Sequence, residues 1–270
     1  MNCQVFARPF RRAKSVAAPN YMFAGGDSSI LAGKVLKAMR IIPASDSSLL
    51  VVFGKTIAPA LNERVITLFH AIQSRRDPRI RNLHPAYASL LIDFDPLRLT
   101  HEELTSIVQQ LEKDLSLAVD KIAEVVTIPV CYDVEFGPDL PDVARHAGLS
   151  AEEVIRLHSS PTYRVYFLGF SPGFVYLGGL PENLHTPRLA TPRPSITGGS
   201  VGIAGGQTGI YPLDSPGGWR LIGRTPLRMF DPQATPPTRL QPGDRMKFAP
   251  IDRAAFEKFD ISSFKFGGHR

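Results

Sequence analysis

The chain has 270 residues, 43% of them hydrophobic, and a formal net charge of +6. That size and composition can bury a core without staples, and two cysteines, Cys3 and Cys131, are too few for a disulfide framework or a cage of thiolates around a metal. No run approaches 18 apolar residues and no secretory apolar core opens the chain, so the expected protein is cytoplasmic, with no membrane span.

The charge is unevenly placed. Residues 1–38 hold Arg8, Arg11, Arg12, Lys14, Lys34 and Lys37 against Asp27 alone, and the remainder is close to neutral. A nucleic-acid partner would need a basic stripe on a folded face, and none follows residue 38. Met39 opens a strand-like run, so residues 1–38 are expected to be an extension or the product of an upstream start codon.

From Met39 the pattern is ordinary α+β. Met39–Ile42 and Leu49–Phe53 read as strands. Pro59 suits a first helical turn, with Leu61, Val65, Leu68, Phe69 and Ile72 on one face, and the helix stops by Arg75–Pro78. Ile80–Leu83 and Ser89–Phe94 are strands. Thr100 and Glu103 have the spacing of a capping box, ahead of an apolar face of Leu104, Ile107, Val108, Leu111 and Leu115. Four strands and two helices in this order predict one sheet covered on one face, a two-layer sandwich over 39–122. Val125–Cys131 leads out of it as a strand. Asp133, Glu135 and Asp139 read as a solvated acidic turn, and Ser150 with Glu153 opens another capped helix running to about His158.

Beyond that helix the texture changes. Residues 161–250 hold 14 of the 22 glycines and 14 of the 24 prolines, in three phrases: GFSPGFVYLGG (169–179), GGSVGIAGGQTGIYP (198–212) and SPGGWRLIGRTP (215–226). Short β-rich runs lie between them, at Tyr163–Leu168, Ser200–Ala204 and Arg220–Ile222. This alternation predicts a closed barrel or a sandwich over 123–270, with an elaborate loop face where function is expected.

Several motifs can be set aside. Gly169–Gly173 matches G-x-S-x-G, but the residue after Ser171 is Pro172, which has no N–H to offer an oxyanion. No G-x-x-x-x-G-K-[ST] loop is present, although glycine-rich backbone can still bind anions as a nest. No two of the seven histidines have H-x-x-x-H spacing, so no metal site is expected, and neither Met39 nor Met246–Lys247 suits biotin attachment. His70 reads as helix surface. His158 reads as a helix C-terminal charge or as a proton-transfer group facing the loops. Gln207, Tyr211, Trp219 and Arg224 are the polar or amphipathic residues inside the glycine phrases, where a ligand could approach the backbone closely.

The three phrases, in this order and with Glu135-Phe-Gly-Pro-Asp139 upstream, resemble the family of the 5-oxoprolinase B-subunit, the sporulation-kinase inhibitor KipI and allophanate hydrolase subunit 1. The resemblance spans about Met39 to Phe248. It implies an N-terminal α/β domain followed by a cyclophilin-like antiparallel β-barrel. It also implies a hydrolase component, inactive alone, that opens the lactam 5-oxoproline to L-glutamate with an A-subunit and a carboxyltransferase-related C-subunit, using ATP and Mg2+ at the level of the complex. In that reading Arg224 and Gln207 stabilise charge developing on oxygen, His158 carries a proton, Tyr211 and Trp219 wall the substrate, and Gly173, Gly205 and Gly206 present backbone to it. The same family also implies two alternatives: inhibition of a sensor histidine kinase, or one half of a biotin-dependent carboxyltransferase.

Overall fold

A computed structural model describes residues 39–115 and 124–264. The expected extension over 1–38 lies outside them, as do residues 116–122 of the expected first domain and the Leu115 side chain.

Two antiparallel hairpins make the first sheet. β1 (Arg40–Ser45) and β2 (Ser48–Val52) precede helix α1 (Pro59–Ser74). β3 (Ile80–Pro85) and β4 (Ser89–Phe94) precede helix α2 (His101–Leu115). The strands lie in the order β1-β2-β4-β3. Leu49 and Val51 of β2 alternate inward with Leu90, Ile92 and Phe94 of β4, and Val65, Leu68, Phe69, Ile72, Leu104 and Val108 of the two helices close over them. The capping box of α2 is formed. Thr100 N–H donates to Glu103 Oε2 at 2.8 Å, and Glu103 N–H donates to Thr100 Oγ1 at 3.2 Å.

The rest of the chain builds a seven-stranded closed barrel. Its elements begin with β5 (Val125–Cys131), α3 (Leu140–Ala147), α4 (Ala151–Ser159), β6 (Tyr163–Leu168) and β7 (Val175–Gly178). There follow β8 (Arg193–Ile196), β9 (Ser200–Ala204), β10 (Gln207–Ile210), β11 (Ser215–Gly217), β12 (Arg220–Arg224), β13 (Arg245–Ile251) and α5 (Arg253–Glu257). Around the barrel the order is β10-β7-β6-β13-β5-β12-β9, and β8 with β11 forms a separate ribbon. All pairs in the barrel are antiparallel except β5 with β13, which run parallel from Val125↔Arg245 to Cys131↔Ile251. Val165, Val175, Leu177, Val201, Ile203, Ile210 and Ile222 fill the interior.

The two parts meet through specific contacts. The buried Asn62 of α1 donates through Nδ2 to Ala86 O at 3.2 Å and to Tyr166 O of β6 at 3.4 Å. Gly243, at φ 95°, brings its backbone so near α1 that a Cβ would stand 2.6 Å from Ile66 Cγ2.

One acidic residue departs from the expected solvated turn. Asp139 is buried at the start of α3 and accepts from both Arg193 guanidinium nitrogens, at 2.9 and 2.7 Å, and from Leu221 N–H at 2.7 Å. A carboxylate with a bidentate guanidinium and a backbone donor can be buried because its lone pairs are satisfied.

Candidate functional site

The outer face of the barrel carries a second apolar cluster. Phe174, Ile196, Ala204, Tyr211, Trp219 and Leu221 pack there, with Tyr176 against them. The sequence makes this possible by leaving the strands bare beneath it. Gly202 of β9 pairs with Gly209 of β10, and a Cβ on Gly209 would meet Trp219 Cζ3 at 3.1 Å and Phe174 Cε1 at 3.2 Å. Trp219 therefore rests directly on backbone, edge-on to Phe174 at 5.3 Å and to Tyr176 at 5.8 Å.

Trp219 and Tyr211 are 4% and 1% exposed, so they form the floor of this face rather than the open walls expected of them. Its partly exposed layer is Tyr87, Phe167, Tyr176 and Gln207. Phe167 stacks on Tyr176 with centroids 4.4 Å apart, and Tyr87 stands edge-on to both. Gln207 donates through Nε2 to Tyr87 Oη, tying the barrel to the β3–β4 turn of the first sheet.

The exposed Arg188 places its guanidinium carbon 5.9 Å from the centre of the Trp219 ring. Burial pushes the Tyr87 phenol up to about 12, against the opposing pull of its Gln207 bond and of Arg188. Burial also raises Tyr176 and Tyr211, again with Arg188 opposing. All three phenols are neutral near pH 7, and each hydroxyl can donate to a ligand or a neighbour.

The remaining candidates lie elsewhere. Gln207 pairs with Ala204, the last residue of β9, whereas Arg224 pairs with Ser200, its first. Four residue steps along the strand separate those positions by about 13 Å. The Arg224 guanidinium instead caps Phe136 at 4.2 Å and Phe256 at 5.1 Å. The structure thus does not bring Arg224 to the Gln207 face. Gly205, at φ 56°, and Gly206 turn the β9–β10 hairpin next to Gln207, with Gly206 against the His185 ring. Gly173, at φ 82°, is buried against Phe230 and Pro212.

His158 is neither a terminal charge nor a group facing the loops. It is 0% exposed inside the barrel, stacked on Phe248 at 4.5 Å, and burial alone depresses its pKa to about 3. Thr208 Oγ1 donates to Gly202 O at 3.0 Å, so it accepts from His158 Nε2–H at 2.9 Å. His158 Nδ1 then accepts from Tyr132 O–H at 2.8 Å. The chain Tyr132, His158, Thr208, Gly202 is fully satisfied with a neutral imidazole.

The G-x-S-x-G segment is a strained turn. Ser171 N–H donates to Gly169 O at 2.8 Å around Phe170, which sits at φ 66° and is 63% exposed. Ser171 Oγ is buried without a hydrogen-bond partner, so no base touches it. Two surface clefts, of about 480 and about 510 Å³, are lined by none of Tyr87, Phe167, Tyr176 or Gln207; Arg76, Arg81 and Leu168 line the first, Arg145, Thr186, Pro187 and Arg220 the second.

A small α/β sheet layer joined to a closed barrel, with aromatic residues from all three glycine phrases on one face, defines a protein of carboxyltransferase-domain type. The chain belongs to the family described as carboxyltransferase domain, subdomain C and D, which matches residues 39–240. It is 42% identical over 232 residues to the 5-oxoprolinase B-subunit of Bacillus subtilis (strain 168), taking in 81% of this chain and 95% of that protein. It is 56% identical over 135 residues to the protein of the same name from Escherichia coli O157:H7, 50% of this chain and 62% of that one. The crystal structure of TTHA0988 matches with a TM-score of 0.68 at 40% identity, over 76% of this chain and 40% of the other.

Of the residues singled out in the sequence, the structure gathers Gln207, Tyr211 and Trp219 at this face, together with Arg188, Tyr87, Phe167 and Tyr176, which the sequence reading did not single out as site residues. Arg188 stands outside the three phrases, between Pro187 and Leu189, and the backbone bonds of Leu189 with Gly218 and of Thr186 with Gly205 carry it to Trp219.

Proposed function

We propose that this chain is the B-subunit of a bacterial ATP-dependent 5-oxoprolinase, acting with an A-subunit and a carboxyltransferase-related C-subunit. The observation that carries the reading is the 42% identity to a 5-oxoprolinase B-subunit over 95% of that protein's length. The TTHA0988 chain extends well beyond the 40% matched here, which supports a second polypeptide as the natural neighbour of this fold.

The reaction opens a stable lactam. Overall, 5-oxoproline, ATP and two waters give L-glutamate, ADP and phosphate: the ring carbonyl carbon gains oxygen from water, the C–N bond breaks, the nitrogen takes up protons, and the phosphoryl group leaves as phosphate. Among the described residues no three His, Cys, Asp or Glu side chains converge as a metal cage, and the sequence has no P-loop, so ATP and Mg2+ are assigned to the complex and no step to them on this chain.

This chain's part is to hold the ring. Gln207 and Tyr87 offer polar donors, Tyr176 and Phe167 an aromatic wall, and the hairpin glycines Gly205 and Gly206 a bare approach beside them. Trp219 and Tyr211 support that wall from below. Arg224 and His158 serve the scaffold in this proposal, the first through its aromatic pair and the second through the core hydrogen-bond chain.

Assembly of the three subunits tests the reading. L-Glutamate should form from 5-oxoproline only with ATP and with this chain present. An intact, folded assembly that yields none contradicts it.

A further inference from the structure

Among the described residues no acidic side chain pairs with Arg188, which is exposed. Among the described residues its neighbours Arg193 and Arg220 are each paired, with Asp139 and Asp142, while Arg188 has only the Trp219 ring. Its position is nevertheless prescribed. Gly205 N–H donates to Thr186 O at 2.8 Å on one side, and Leu189 N–H donates to Gly218 O at 2.8 Å on the other. Arg220 Nε donates to Pro187 O at 3.3 Å between them. Backbone from two of the three glycine phrases therefore clamps the residues flanking Arg188.

Trp219 lies under this guanidinium, and Tyr87, Tyr176 and Tyr211 are near enough for its charge to act on their phenols, with Gln207 bonded to Tyr87. None is an acid. A guanidinium held over an aromatic face presents a planar fork of donors, which matches one carboxylate; a polyphosphate calls for several cations, and among the described residues the nearby Arg193 and Arg220 are already paired. The stacked Phe167 and Tyr176 rings beside it suit a small flat ring.

We infer that Arg188 anchors the carboxylate of a small cyclic substrate against the Tyr87, Tyr176 and Gln207 face. The identity of that substrate as 5-oxoproline rests on the function proposed above. Arg188 is exposed, so it reads the substrate through its charge: a lactam without the carboxylate forfeits the charge-assisted pair.

Trp219 is the single tryptophan of the chain, so its emission reports the site directly. The full chain is titrated with 5-oxoproline and with 2-pyrrolidone, the same ring lacking the carboxylate, in wild type, Arg188→Gln and Arg188→Lys; circular dichroism checks each fold. The expected result is a saturable emission change with 5-oxoproline, weakened at least about tenfold by Arg188→Gln or by loss of the carboxylate, and partly retained by Arg188→Lys. Absence of a saturable change in wild type, equal affinity for 2-pyrrolidone, or an unaltered Arg188→Gln overturns the assignment. Glutamate formation is read separately in the assembled complex. Turnover without a Trp219 response removes Arg188 as the anchor and leaves the enzymatic reading; a response without turnover keeps the anchor and removes that reading.

Discussion

At the scale of single residues, the barrel stores a pH dependence in His158. Its folded pKa of about 3 lies below the ordinary value of 6.5 because the charged form is shut away from water. The unfolded chain therefore binds a proton between those values that the folded chain does not. Stability from this group is complete above about pH 6.5 and falls by about 1.4 kcal/mol per pH unit as the medium is acidified toward pH 3. His158→Gln removes the titration. The stability gap between wild type and variant, from urea unfolding, should narrow by about 2 kcal/mol between pH 7.5 and pH 5.0. A gap that stays constant contradicts a neutral buried imidazole. Asp139 shows the opposite solution to burial, its carboxylate oxygens met by Arg193 and the Leu221 N–H. Its sequence neighbourhood reads as a wet acidic turn; the partner that makes burial tolerable stands 54 residues away, where local spacing carries no signal.

At the scale of elements, the paired glycines of β9 and β10 decide where Trp219 can lie. A methyl group at Gly209 would stand 2.5 Å from Val175 O, a backbone atom of the neighbouring strand, as well as against the indole. Gly209→Ala should cost about 2 kcal/mol, seen as a lower urea midpoint, with Trp219 emission shifted to the red as the ring lifts toward water. An unchanged midpoint and spectrum would mean that the strands shift freely, contrary to their close packing. The glycines were legible as a place of close approach, but what approaches comes from Trp219, and its side chain is aimed by a distant strand. Capping boxes at Thr100 and Ser150 were readable because both partners lie within one turn. Helix α3 was not: its eight residues bury little beyond Leu140, Val143 and Ala144, too short a face for periodicity to register.

At the scale of the whole molecule, the layered sheet and the barrel follow from patterns that repeat over many residues, and these were readable. The gathering of Gln207, Tyr87 and Arg188 was not, since three separated segments meet there and each alone resembles an ordinary loop. The joint between the parts depends on buried polar contacts such as Asn62 to Tyr166 O, which no periodicity announces. Closure of the barrel depends on β13, which lies between β5 and β6. A chain ending at Gln241 lacks that strand and exposes two hydrophobic strand edges, so light scattering should show association where the full chain is monodisperse. A monodisperse truncated chain with a sharp unfolding transition would argue that β13 is dispensable. The parallel seam also has a temporal meaning. On the ribosome, β5 emerges first and must wait on the order of ten seconds for the strand that lies beside it, at ordinary elongation rates. Through that interval the nascent barrel is an open ribbon, so a cell making this protein quickly would be expected to engage chaperones at its half-built stage.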